Sequence, residues 1–244
     1  MATTDARLVG KNALVTGGSR GIGHAIAAEY LRHGADVAVL SCSVERLGAA
    51  VDDLRAVRPG AKVVGVAADV ADRDAVERAV AEAIGALGAV DVLVNAAGIA
   101  SLGDLDVMSP AEWERIIAVN LVGVYNVTHA VWPHMKQHGG GSILMIVSGS
   151  GRRAHGGWSA YCASKFGLMG LTQALAKEGR PHGIRCNALC PGPTDTDQRR
   201  ANFPGEDPAG LLRPEQVASA SVFFASDESR WVSGPGIDVR REPV

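Results

Sequence analysis

Near the start of the chain, an apolar run, Asn12-Ala-Leu-Val-Thr16, passes through Gly17-Gly18-Ser19-Arg20-Gly21-Ile22-Gly23 into a helix-patterned run that includes Ala25-Ile-Ala-Ala-Glu-Tyr-Leu31. No other feature limits the possible folds as much. Glycines at 17, 21 and 23 allow a tight strand-to-helix turn and let the backbone come close to a pyrophosphate. The N–H groups at the helix start would then meet the charge of that pyrophosphate.

Downstream, strand and helix patterns alternate. Asp36–Ser41, Ala61–Ala67, Val90–Asn95, Ser142–Ser148 and Ile184–Cys190 read as short apolar strands. Between them, a polar helical stretch runs from Glu45 to Val57, and Val76, Ala79, Val80, Ala83, Ile84 and Leu87 form one apolar helix face. Ser109-Pro110-Ala111-Glu112 reads as a capped helix start, and Pro214 opens a helix through about Ala225. The chain has 244 residues, 47% of them hydrophobic, and no repeat or low-complexity linker interrupts the alternation. These features predict a single doubly wound, Rossmann-type α/β domain over residues 1–244, with a parallel sheet of about seven strands.

Composition excludes several roles. Lys plus Arg number 24 against 26 Asp plus Glu, and the arginine pairs are scattered, so nucleic acid is not the expected partner. Met1–Arg7 lacks the apolar core of a leader, and no apolar run reads as long enough to span a bilayer; the expectation is a cytoplasmic protein. Cys42, Cys162, Cys186 and Cys190 form neither a C-x-x-C pair nor a disulfide scaffold, and the last two are expected on one side of a strand in the core. His134 and His138 have helical spacing but no third ligand, so they read as solvated helix residues and no metal is expected.

Chemistry concentrates between residues 148 and 165. On a helix from Ser159 to about Arg180, Tyr161 and Lys165 lie four residues apart on one face, which sets an ammonium beside a phenol. Such a cation favours the phenolate and brings the phenol towards a pKa at which it can give and take a proton. Ser148, at the C-terminal end of a predicted strand, would hold the oxygen undergoing reaction.

Tyr161-x-x-x-Lys165, the upstream Ser148 and the T-G-x-x-x-G-x-G spacing of residues 16–23 together resemble the short-chain dehydrogenases/reductases, over about residues 11–239. The resemblance implies reversible hydride transfer between a nicotinamide cofactor and a carbonyl or secondary alcohol. It also implies catalytic roles for Asn120, Ser148, Tyr161 and Lys165, with Asn120 holding a water that links Lys165 to solvent. Cofactor contacts would come from Gly17, Ser19, Arg20, Gly21, Ile22 and Gly23, from Ser41, Asp69 and Val70, and from Asn95, Ala97 and Gly98. Tyr161 and Lys165 would add to them, as would Pro191, Gly192, Thr194 and Thr196, the last bonding the carboxamide. Asp69 reads equally well as a turn or cap residue, and Ala96 stands where relatives have a second Asn, so one hydrogen bond of that turn is missing or replaced.

The loop 151–158, with Arg152, His155 and Trp158, should line the substrate cleft, and a mobile lid is expected over about residues 194–212. NADP(H) is favoured and NAD(H) possible: Ser41 stands where NAD selectivity needs an acid, and Arg20 resembles the basic residue of NADP-dependent relatives, although Cys42 replaces a frequent second arginine. The resemblance and the apolar helices around 121–132 and 166–175 suggest a homotetramer; Arg240-Arg241-Glu242 departs from the usual C-terminus. A 3-oxoacyl-carrier-protein reductase, with Arg152 and Arg153 as its basic patch, is the alternative enzyme. A dinucleotide-binding redox sensor without turnover is the alternative of another class.

Overall fold

The computed structural model describes residues 6–241. Met1–Asp5 of the leader reading and Glu242 of the C-terminal departure lie outside them. Seven parallel strands form one sheet in the order β3-β2-β1-β4-β5-β6-β7. They are β1 (Asn12–Thr16), β2 (Asp36–Ser41), β3 (Val63–Ala67), β4 (Val92–Asn95), β5 (Gly141–Ile146), β6 (Ile184–Pro191) and β7 (Gly236–Val239). Eight α-helices flank it: α1 (Gly21–Arg32), α2 (Val44–Val57), α3 (Arg73–Leu87), α4 (Pro110–Ile117), α5 (Gly123–Gln137), α6 (Ser159–Gly179), α7 (Asp197–Asn202) and α8 (Pro214–Ala225).

Both faces of the sheet are covered, which is why the strands read as continuous apolar runs. Ala13 and Val15 pack with α1, α2 and α8 on one face, while Leu14 points to α3, α5 and α6 on the other. The order reverses between β1 and β4, whose ends Thr16 and Asn95 pair across the ladder. A doubly wound sheet opens its ligand crevice at such a switch point, outside the carboxyl ends of the strands.

Pro110–Gln137 is one 28-residue helical run, long and apolar enough by length and composition to cross a membrane, contrary to the sequence expectation. Half of its most apolar window is buried inside the protein, so that hydrophobicity serves the core. Between α4 and α5 the run makes one π-helical turn, Ala118–Val122. Such insertions cluster at functional sites, and this one carries Asn120.

His134 is more than a solvated helix residue. Its Nε2 accepts the Val90 N–H at 3.2 Å, and its ring stacks on His138 at 3.9 Å. The four thiols are unpaired, and Cys186 and Cys190 share one face of β6 in the core. Among the described residues, no group of three His, Cys, Asp or Glu side chains could hold a metal ion.

Candidate active site

Leu40 closes the glycine turn by accepting the Gly17 N–H at 2.8 Å. Gly17 has φ +67°, and a Cβ there would lie 2.9 Å from the Ala97 backbone; one on Gly23 would lie 2.4 Å from the Gly17 carbonyl. These glycines are therefore needed for close packing of the turn. Arg20, the residue before α1, gives the helix no side-chain cap, so the first N–H groups of α1 keep their capacity for an anion. Thr16 Oγ1 accepts from Ala96 N at 3.0 Å and Ala97 N at 3.1 Å, which ties the 96–97 turn to the end of β1.

The turn opens onto a cavity of about 220 Å³, lined by Gly17, Ser19, Arg20, Gly21, Ile22, Gly23, Ser41, Asp69, Val70, Ala97, Gly98 and Thr196. Ile22, Ala96, Gly98, Thr196 and Gln198 also line a second cavity of about 430 Å³, so the two join into one elongate cleft at the switch point. An extended dinucleotide fits this arrangement, with its anionic centre at the uncapped helix start.

Two of the expected contacts differ from the sequence reading. Asn95 lies away from both cavities: its amide donates to Thr128 Oγ1 at 3.0 Å, and its buried Oδ1 has no partner. Asp69 does line the cleft, but its carboxylate already accepts the Ala71 N–H at 2.9 Å and pairs with Arg115 at 2.6 Å. Partial burial pushes that carboxyl up, and these two partners outweigh it and hold it below its ordinary range.

In the larger cavity, β5 ends two residues before Ser148, and α6 presents Tyr161 and Lys165 from its first two turns. Tyr161 lines this cavity beside Ser148, whose Oγ accepts the Ser150 N–H at 3.1 Å. Lys165 Nζ donates to the Ile146 carbonyl at 2.9 Å and lies 5.6 Å from the Tyr161 ring centre. Asn120 is fully buried, accepts Ile99 N–H at 2.8 Å and donates to Ile99 C=O at 2.8 Å and to Ser164 Oγ at 3.2 Å. A Cβ on Gly98 would lie 3.4 Å from Asn120 Oδ1 and 3.7 Å from Lys165 Nζ, which places the amide and the ammonium on one spot of the cleft floor.

The electrostatics correct one expectation. Burial pushes the Tyr161 phenol up, and the nearby Ser148 hydroxyl and the field of Arg199 offset this only partly; the neighbouring lysine does not bring it down. Burial also depresses Lys165, to about 8, so the ammonium is itself poorly solvated.

His155 and Trp158 line the cleft as expected, as do Pro191, Gly192, Thr194 and Thr196. Arg152 does not. Its guanidinium turns to β7, bonding the Gly236 carbonyl and pairing with Asp238 at 3.1 Å. Thr196 Oγ1 accepts the Arg199 N–H at 3.2 Å and so caps α7. The lid is more structured than expected: α7 is tied down by Arg199 to Glu206 (2.6 and 2.7 Å) and by Arg200 to Asp195 (2.7 and 2.9 Å).

Sequence reasoning missed Arg199 and Phe203, which face the substrate end, and Arg46, which lines the cofactor end. Arg199 and Phe203 are four residues apart, and that cation–aromatic spacing was a usable signal.

A family model described as short chain dehydrogenase matches residues 11–207. The chain belongs to the short-chain dehydrogenase/reductase family. It is 38% identical, over 95% of its length and 96% of the relative's, to the 3-oxoacyl-[acyl-carrier-protein] reductase FabG of Chlamydia muridarum. A gluconate 5-dehydrogenase from Burkholderia cenocepacia, solved with NADP and tartrate, superposes with TM-score 0.90 at 32% identity, covering 98% of this chain and 97% of the other. A carveol dehydrogenase from Mycobacterium avium, solved with NAD, gives TM-score 0.88 at 30% identity, with 96% and 97% covered. This chain is thus an NAD(P)-dependent oxidoreductase that moves a hydride between a nicotinamide cofactor and a carbonyl or secondary alcohol.

Proposed function

We propose that the chain is an NADP(H)-preferring carbonyl reductase whose proton donor is Tyr161. The observation that carries this reading is that Ser148, Tyr161 and Lys165 line one cavity, which joins the glycine-turn cleft. When bound, the reduced cofactor supplies a hydride to the carbonyl carbon. Tyr161 gives its proton to the carbonyl oxygen, and the Ser148 hydroxyl holds that oxygen in place. The raised pKa of the phenol keeps the proton on it at neutral pH, available for transfer, as reduction requires. Lys165, with its ammonium fixed on the Ile146 carbonyl, holds the cofactor's ribose, and Asn120 braces the 98–99 turn that forms the floor beside it.

Preference for the phosphorylated cofactor is supported by the residues around Ser41. The Ser41 and Ser19 hydroxyls bond each other at 2.8 Å, and the position that ends β2 is this serine rather than an acid that would repel a 2′-phosphate. The Arg20 guanidinium has only a loose contact with Asp197, at 3.8 Å. Arg46, in the first turn of α2, lines the same end of the cleft and supplies the second cation that Cys42 does not. Dissociation constants for NADPH and NADH, measured by cofactor fluorescence on wild type and Arg20→Ala, test the preference. NADPH should weaken selectively, by about 1.5–3 kcal/mol for a lost charge-assisted bond. Tighter wild-type binding of NADH would overturn the preference.

The carrier-protein alternative draws nothing from Arg152, which is committed to β7. Half-exposed Val122, Tyr125 and Phe166, on the π turn, α5 and α6, support self-association through these helices. A monomeric sedimentation coefficient at micromolar concentration would remove that part of the reading.

A further inference from the structure

The larger cavity holds about 430 Å³, and among the described residues no aspartate or glutamate lines it. Its ionisable side chains besides Tyr161 are His155, Lys165 and Arg199. Lys165 is fixed on the Ile146 carbonyl at the floor, on the side assigned above to the cofactor's ribose. Arg199 enters from the lid. Its Nε and Nη2 donate to Glu206, and its Cζ sits over the Phe203 ring, 3.6 Å from the centre; no hydrogen bond engages Nη1.

From Arg199 a continuous aromatic wall leads to the reacting position. Phe203 stacks on Trp158 at 5.8 Å with an interplanar angle of 18°, and Trp158 meets the Tyr161 ring edge-on at 5.4 Å. Arg199 and Tyr161 line the same cavity, and the Arg199 charge opposes the upward push of burial on the Tyr161 phenol. A guanidinium fixed by a carboxylate and an aromatic face is a preorganised donor for a second planar anion. We propose that Arg199 reads a carboxylate, so that the substrate is a compact oxo- or hydroxycarboxylic acid. Its reacting carbon lies at Ser148 and Tyr161, and its short carbon chain runs along Trp158 and Phe203.

The proposal rests on the reductase reading of the same cleft, and its test separates the two. Steady-state kinetics would compare 2-, 4- and 5-oxocarboxylates of short chain length with their neutral methyl esters, on wild type, Arg199→Gln and Glu206→Gln. Wild type should favour an oxocarboxylate over its ester. Arg199→Gln should lower kcat/KM for that acid roughly 10- to 150-fold, mostly through KM, and leave the ester within about threefold. Glu206→Gln breaks the same latch but keeps the cation, so it should retain the preference for the acid. If esters are reduced as well as acids, or if Arg199→Gln lowers both alike and Glu206→Gln reproduces that loss, the carboxylate role is overturned and Arg199 only latches the lid; the reductase reading then stands. Failure of every acid and ester while other aldehydes or ketones are reduced overturns the carboxylate role alone; failure of those as well, with both cofactors, overturns both.

Discussion

At the floor of the cleft, Asn120 and Lys165 are buried and bonded to backbone carbonyls and N–H groups of Ile99 and Ile146. Over the opposite wall, α7 is held by ion pairs of Arg199 and Arg200, most of whose members remain in contact with water. Buried polar groups without partners are expensive, so the floor has one arrangement or none. Exposed ion pairs contribute about 0–1 kcal/mol each, so the lid can exchange partners at little loss. Proton transfer, which demands fixed geometry, thus sits on the rigid side, and substrate choice sits on the adaptable one.

Substitutions on each side sharpen or break this contrast. The largest effect is expected for Tyr161→Phe, which removes the proton donor and keeps the ring: kcat should fall about 10²–10⁴-fold, with NADPH affinity unchanged by fluorescence titration. A Phe variant keeping a tenth of the rate would remove Tyr161 from the role. Asn120→Ala strands both the N–H and the C=O of Ile99 and should destabilise the fold by about 2–4 kcal/mol in urea titrations. Retained stability would show that the floor is not as rigid as described.

Lys165→Met should go the other way in stability while abolishing activity. Burial lowers the lysine from 10.5 to about 8, so at pH 7 the folded chain bears the full penalty of a buried charge. Between those two values the unfolded chain binds more protons, and wild-type stability rises with pH. The Met variant should therefore be more stable at pH 7, by up to about 3 kcal/mol, and lose that advantage as the pH rises through 8 towards 10.5. A pH-independent difference in Tm would contradict this. The smallest effect belongs to the lid: Arg200→Ala should change stability by no more than about 0.5 kcal/mol. A loss as large as that for Asn120→Ala would erase the contrast.

The same division explains what the sequence made legible. Strand runs, the glycine turn and the Tyr161–Lys165 pair could be read because each is a local pattern whose spacing carries the geometry. The π turn at Asn120 could not, since one inserted residue barely disturbs helical periodicity. Arg152 follows Ser148 closely in sequence, yet the 3₁₀ turn Gly149–Gly151 carries it back to β7, where Asp238 forms ion pairs with both Arg152 and Arg240. Arg199 and Arg46 acquire meaning only from cavities assembled by distant segments. The direction of the Tyr161 shift was misread because the partly buried site was counted with the lysine as favouring the phenolate, whereas desolvation disfavours the charged form and dominates here.

The central claim is hydride transfer in this cleft, and isotopic transfer measures it most directly. The enzyme is mixed with NADPH deuterated at either face of the nicotinamide C4 and with the oxocarboxylate panel, and the alcohol products are read by mass spectrometry. The account predicts deuterium on the carbinol carbon from one face only, one label per NADPH consumed. NADPH that binds with no deuterium reaching any product, or product formed without consumption of NADPH, would contradict it.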